Sequence, residues 1–209
     1  MSAAPRGTVP IELPKPKLKG KVSVEEAIAN RRSRRKYGNR AMTLAEVGQV
    51  LWSGLGITGT SDNFKASPSA GAMHPLDLFA AVAPGAVEGL TPGFYRYREK
   101  KHHLIKLSDD NFIPGVADKA YGQGCVAGAP VLLVVTVEYG RTTSRYRERG
   151  RRYAHMDVGH MGENIYLQAE ALGLATVAIG AFDDDAITNL LPLPKNYEVK
   201  YLFPIGPMK

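Results

Sequence analysis

The chain has 209 residues, 44% of them hydrophobic, which is enough for one domain with a sizeable core. No apolar run approaches the roughly 20 residues that a membrane-spanning helix needs, and a single cysteine, Cys125, excludes an internal disulfide framework or a cysteine-built metal cluster. The net charge of +7 favours anionic partners such as nucleic acid, acidic membranes or phosphorylated small molecules. Residues 1–20 are rich in Pro and Lys and lack the apolar centre of a signal peptide, so they read as an extended arm before a single domain over 21–209. That pattern is the one expected of a soluble cytoplasmic protein, although a chain trimmed of a leader would read the same.

Ser23-Val24-Glu25-Glu26 is a capping box that starts a helix running into Arg31, and Thr43-Leu44-Ala45-Glu46 repeats the signal. The second helix puts Leu44, Val47, Val50 and Leu51 on one face and stops at Gly54 and Gly56, with Trp52 expected in the core or a subunit contact. Thr58 to Lys65 is turn-rich. The small residues of Ala66–Pro75 then suit a loop whose main chain approaches something flat or bulky. Leu76 to Ala83 reads as a strand, and Gly93–Tyr97 with His103–Leu107 as a hairpin. After a mixed stretch, helical around Val116–Ala120, the run Pro130–Val137 has the continuous apolar character of a strand covered on both faces. A long helix is predicted from Arg151 or Tyr153 to Leu172, so widely apolar that a subunit interface is a natural place to bury part of it. A short strand over Ala175–Ile179, a short helix over Phe182–Leu190 and a last strand over Glu198–Ile205 complete an α+β pattern without regular βαβ alternation.

Positive charge concentrates in two places. Arg31-Arg32-Ser33-Arg34-Arg35-Lys36-Tyr37 packs five cations around one hydroxyl, and residues 141–152 hold six arginines beside one acid, Glu148. Arginine forks completed by a hydroxyl form a phosphate cradle. Cations that complement the dipole of a helix end on a solvated face are the plainer alternative for the heptad. His155 and His160 lie about 140° apart on a helix and do not share a face, so no metal centre is expected, and Asp157 is expected to pair with the arginine segment. There is no GxSxG or Walker A sequence, which removes the nucleophile-elbow hydrolases and the P-loop nucleotide-binding folds. Nucleic-acid binding by the two arginine segments stays open as a distant alternative, with only Tyr37, Tyr146 and Tyr153 set among the charges as stacking residues.

The succession Arg31-Arg32-Ser33-Arg34-Arg35, Pro68-Ser69-Ala70-Gly71-Ala72-Met73-His74-Pro75, Asp157-Val158-Gly159-His160, Ala171-Leu172-Gly173-Leu174 and Gly180-Ala181-Phe182-Asp183 resembles the FMN-dependent nitroreductase family, most closely its SagB-type dehydrogenase branch. The resemblance implies a nitroreductase-like α+β fold, a mostly antiparallel central sheet flanked by helices in an intertwined homodimer with FMN at the subunit interface. By position, it implies that Arg31, Arg32, Ser33 and Arg35 hold the FMN phosphate and ribityl chain, and that Pro68, Ser69, Ala70 and Gly71 form the loop a partner lays along the ring. It further assigns Gln123 to the pyrimidine edge, Gly180 and Ala181 to the turn facing flavin N5, and Lys209 to the phosphate. Ala72 and His74 stand where many relatives have Asn and Gln. The implied chemistry is hydride transfer from NAD(P)H through the flavin to a nitroaromatic, quinone or similar acceptor, with Tyr146 and His74 as candidates for the acceptor pocket and no assigned catalytic residue. Azoline oxidation of modified peptides is the alternative within the branch. Arg145 stands there in place of the lysine of a Lys-Tyr pair, and a guanidinium does not release a proton at working pH.

Overall fold

The computed structural model describes residues 9–61 and 64–209. Residues 1–8 of the expected arm lie outside them. Seven strands, Ile11–Glu12 (β1), Leu76–Val82 (β2), Gly93–Arg98 (β3), His103–Ser108 (β4), Val131–Val137 (β5), Leu174–Thr176 (β6) and Glu198–Pro207 (β7), form one sheet in the order β1-β4-β3-β2-β5-β7-β6. Every pairing is antiparallel. The helices are Val24–Asn30 (α1), Leu44–Leu55 (α2), Ile113–Lys119 (α3), Gly124–Ala127 (α4), Tyr139–Tyr146 (α5), Arg149–Ala171 (α6) and Asp184–Leu190 (α7).

The sheet is organised by β5, which lies between β2 and β7 with all seven residues buried. Alternate side chains face opposite sides of a strand, so an uninterrupted apolar run needs cover on both. Val131, Leu133, Val135 and Val137 pack with Val47, Val50 and Leu51 of α2 and Val158, Met161 and Ile165 of α6. Leu132 and Val134 point the other way, toward Ile113 and Val116 of α3, Val126 of α4 and Ile187 of α7. At about 1.5–3 kcal/mol for each large apolar side chain, the six in β5 are a main source of the fold's stability. The expectation for this strand, and for an α+β architecture with an antiparallel sheet, is met.

Several boundaries differ from the sequence reading. Ile11 and Glu12, within the expected arm, pair with Leu104 and His103 of β4, and Leu13 is buried. The stretch is therefore extended but docked. The expected strand over Ala175–Ile179 breaks after Thr176, and Ile179 makes an isolated bridge to Leu202. The long helix starts at Arg149, earlier than expected, and α5 is an additional helix. α5 is polar along most of its length and is held by tertiary contact. Gly150 sits where an added Cβ would stand 2.7 Å from the Thr142 carbonyl carbon, so only glycine lets α6 approach α5 this closely. Cys125 is buried, as a small apolar filler would be.

Candidate functional site

The first arginine cluster follows α1, whose start is capped by Ser23 Oγ accepting from the Glu26 N–H at 3.1 Å. No cation lies within the last turn of α1, but Arg32 Nη1 donates to Ala29 O at 3.0 Å and Arg34 Nη2 to Asn30 O at 3.2 Å, so part of the heptad does serve the carbonyl end of the helix. The heptad continues along the edge of the sheet, where the Arg34 N–H donates to Thr176 O at 2.9 Å and the Gly38 N–H to Pro207 O at 2.8 Å. The side chains divide into two groups. Arg34 turns inward and pairs through both terminal nitrogens with Glu170 of α6. Arg32 donates only to backbone, at Ala29 O and Arg31 O, and Arg35 only to Ser33 O. Arg31 lies over the Tyr166 ring, 5.0 Å from its centroid. Among the described residues, Arg31, Arg32 and Arg35 have no carboxylate partner, which leaves their forks open to an external anion.

Tyr166 links this corner to the turn before α7. Its hydroxyl lies 3.0 Å from Ser33 Oγ and accepts the Ala178 N–H at 2.7 Å. This tyrosine lies in the long helix that the sequence predicts to be widely apolar. The only local signal of another role is a hydroxyl on the flank of the helix. Beyond Ala178, Gly180 and Ala181 are exposed, and Gln123 Nε2 donates to Ala181 O at 2.9 Å and to Ala120 O at 3.1 Å. Tyr37 Oη donates to Cys125 O at 2.8 Å, tying the end of the heptad to α4. Met208 donates its N–H to Gly173 O, and its carbonyl lies where an added Cβ on Gly38 would meet it at 2.7 Å, so exposed Lys209 ends beside the heptad. Arg31, Arg32, Ser33, Arg35, Gln123, Gly180, Ala181 and Lys209 thus belong to one side of the molecule.

The loop from Ser67 to Pro75 is built differently. Gly71, Ala72 and His74 all have positive φ, at 58°, 54° and 47°. For a non-glycine residue this conformation costs about 1–2 kcal/mol, so the surroundings must hold it. Asn164 Nδ2 of α6 donates to Ala66 O at 3.0 Å and Ser67 Oγ at 3.2 Å, and Ser67 Oγ donates to Gly54 O at 2.8 Å. Ser69 Oγ accepts the His74 N–H at 2.9 Å, and the Ala70 N–H donates to Asp157 Oδ1 at 3.3 Å. Asp157 is 3% exposed, and its Oδ2 is buried without a hydrogen-bond partner among the described residues. Burial pushes its carboxyl above the ordinary range, opposed by Ser69 and the Ala70 N–H. The expectation that Asp157 pairs with the arginine segment is corrected: among the described residues no arginine pairs with it, because α6 turns it under the loop.

The far end of the loop rests on α5. Arg141 Nη1 donates to His74 O at 2.9 Å while the same guanidinium meets Asp77 Oδ2 at 2.9 Å, Glu138 at 2.5 Å and Tyr197 Oη at 2.6 Å. Arg96 reaches Asp77 Oδ1 at 2.6 Å and Tyr197 Oη at 3.0 Å. Arg145 Nη1 is 3.5 Å from Gly71 O, and an added Cβ on Gly71 would lie 2.3 Å from Tyr146 Oη. His74 is half-buried, its backbone held at both ends.

The long helix separates these two regions. At about 100° per residue, Asp157 and Asn164 share a face, whereas Tyr166 points half a turn away from Asp157. Within one chain, Pro68–Gly71 and Arg31–Arg35 therefore sit on opposite sides of α6 and do not meet. Trp52 is half-buried, donating to Ile57 O at 3.1 Å, and lines a cavity of about 860 Å³ with Leu18, Leu167, Ala171 and Leu172 between the arm, α2 and α6. Among the described residues, no three His, Cys, Asp or Glu side chains come together as a metal set, and no helix is long and apolar enough to cross a membrane.

The nitroreductase family model matches residues 28–207. A Methanocaldococcus jannaschii protein provisionally named a nitroreductase is 38% identical over 185 residues, 88% of this chain and 91% of that protein. The trifolitoxin-processing protein TfxB of Rhizobium leguminosarum bv. trifolii is 30% identical over 122 residues, 53% of this chain but only 30% of that protein. A crystal structure of a provisionally named nitroreductase from Anabaena variabilis superposes with a TM-score of 0.83 at 26% identity, over 98% of this chain and 42% of that one. The antiparallel α+β scaffold is thus shared with that solved structure. The chain belongs to the nitroreductase family.

Proposed function

We propose that this protein is an FMN-dependent oxidoreductase that takes a hydride from NAD(P)H and passes it to a nitroaromatic, quinone or similar acceptor in a ping-pong cycle. The observation that carries this reading is the division of the heptad. Arg34 is tied to Glu170, whereas Arg31, Arg32 and Arg35 stay open beside Ser33, near Gln123 and the exposed Gly180–Ala181 turn. That donor set fits FMN. Arg31, Arg32, Ser33, Arg35 and Lys209 would hold the phosphate and ribityl chain, Gln123 the pyrimidine edge, and Gly180 and Ala181 the side of the ring. When bound, FMN supplies the two-electron chemistry through N5.

The rest of the task falls to the chain as position and electrostatics. The loop over Pro68–Gly71, held by Asn164 and Asp157, is stiff enough to wall one face of a planar ring and exclude water from it. Since it lies across α6 from the cationic corner, it would serve the site of a second copy, and the working form is a homodimer. The cavity floored by Trp52, Leu167 and Ala171, and the exposed Val24 and Ile28 of α1, supply apolar surface for that association. The reading assigns the enzyme to the cytoplasm. A peptide azoline dehydrogenase of the SagB type is the second reading, favoured by the likeness to TfxB and by the seating of Arg145 and Tyr146 on Gly71. Arg145 weighs against it, because a guanidinium stays protonated.

The test is the visible spectrum of the purified protein, with heat release and identification of any flavin. About one FMN per chain, bleached anaerobically by NADH or NADPH, supports the reading, and turnover of a quinone against a thiazoline peptide chooses between acceptors. A colourless protein that does not bind added FMN sinks it and turns attention to nucleic acid.

A further inference from the structure

Of the six arginines in residues 141–152, Arg141 belongs to the Asp77 network, and the other five are exposed. Arg151 lies over the Tyr139 ring at 4.6 Å and reaches Glu148 at 3.3 Å, while Arg147 and Arg152 have no partner among the described residues. Arg145 and Arg149 form part of a continuous run. The Arg145 guanidinium lies 5.4 Å from the centroid of Tyr146, the Tyr146 and Tyr153 rings meet edge to face at 5.0 Å, and Arg149 lies 5.9 Å from the Tyr153 centroid with Nε donating to its hydroxyl at 3.0 Å. Arg152 is three residues after Arg149 on α6 and so neighbours it on the helix surface. The inner end of the run is the contact of Arg145 and Tyr146 with Gly71.

A guanidinium packed on a tyrosine ring loses little further freedom when it binds, and its in-plane N–H groups remain available. Two such guanidinia around a pair of aromatic rings, with a third cation alongside, favour a ligand that is both planar and anionic. We propose that this arginine–tyrosine run selects the electron acceptor: a planar aromatic compound carrying a carboxylate or sulfonate, its ring against Tyr146 and Tyr153 and its anion among Arg145, Arg149 and Arg152. The inference rests on the FMN reading, since it takes the Pro68–Gly71 loop as a wall of the reaction site. For a quinone the overall step balances as follows: NAD(P)H is oxidised to NAD(P)⁺, and the quinone gains the hydride equivalent and one proton from solvent to become the hydroquinone.

The test uses the FMN-loaded full chain and two acceptors, 1,4-naphthoquinone and its 2-sulfonate. The quantity read is the ratio of kcat/KM for the sulfonate to that for the neutral quinone, compared between the wild type and Arg149→Ser/Arg152→Ser, so that intrinsic reactivity cancels. The expected result is a fall in this ratio of about tenfold in the variant, and a comparable fall in the wild type on raising salt from about 20 mM to about 0.5 M. An unchanged ratio overturns the inference. So does a variant whose ratio is intact but whose anaerobic reduction by NADPH is slowed, because the arginines then serve the phosphates of the reductant. If the double variant does not fold, the wild-type salt titration decides alone, and a salt-insensitive ratio is again fatal. Absence of bound flavin and of turnover with either quinone would be the distinct failure of the underlying functional reading.

Discussion

The two arginine clusters solve the same problem in different ways. Each contributes one arginine to the fold and leaves the rest outward, but Arg34 meets a single carboxylate at the rim, whereas Arg141 joins a network of Asp77, Glu138, Arg96 and Tyr197. The first cluster lies on extended backbone, with open forks beside a serine hydroxyl, which suits a compact tetrahedral anion. The second spans the end of one helix and the start of another, with tyrosines between the charges, which suits a flat one. Similar composition therefore yields two different arrangements of donors, decided by the backbone beneath it.

The largest effect should come from removing the acid of the buried network. Asp77→Ala leaves two guanidinia without their shared partner and is expected to lower unfolding stability by about 3–5 kcal/mol in urea titration. Next in size, Arg31→Ala/Arg35→Ala is expected to raise the Kd for FMN about 100-fold by fluorescence titration, as two charge-assisted hydrogen-bonding groups are lost, with little change in apo stability. Equal losses of FMN binding in Arg34→Ala would erase the division within the heptad. Gly71→Ala combines a positive φ with a Cβ 2.3 Å from Tyr146 Oη, and a stability loss of about 1–2 kcal/mol is expected by thermal melting, part of it recovered by adding Tyr146→Phe. At the rim, Glu170→Ala should cost only about 1 kcal/mol, because the Arg34 side chain is 31% exposed and its pair is partly screened.

The smallest effect separates the loop from both clusters. Burial raises the Asp157 carboxyl, so the folded chain holds that proton more tightly than the unfolded one. The resulting stabilisation is complete below the ordinary carboxylate range and is lost as pH climbs through the raised value. Asp157→Asn keeps an acceptor for the Ala70 N–H without the charge, so its stability relative to wild type should increase between pH 4 and pH 7. Parallel pH profiles for the two proteins would show that the carboxylate is not paying a desolvation cost under the loop.

Much of the scaffold was legible because its causes are local. The capping box at Thr43 forms as read, with Glu46 N–H on Thr43 Oγ1 at 3.2 Å and Thr43 N–H on Glu46 Oε2 at 2.8 Å. The apolar run of β5 and the spacing of Val158, Met161 and Ile165 likewise need only near neighbours to state their burial. α5 escaped notice because its residues are mostly polar and its stability comes from packing on α6 across Gly150. Asp157 was misread for a related reason, since an acid near many arginines suggests pairing until the rotation of the helix is known.

By itself, the sequence determined most of the elements, the α+β class and the concentration of cations in two short segments, because propensity, capping and apolar period act over a few residues. Only the tertiary structure decided which arginines remain open, that Tyr166 joins Ser33 to Ala178, and that loop and corner fall on opposite sides of α6. Those outcomes depend on contacts such as Arg34 to Glu170, 136 residues apart, which sheet register and helix rotation bring together and no local spacing encodes.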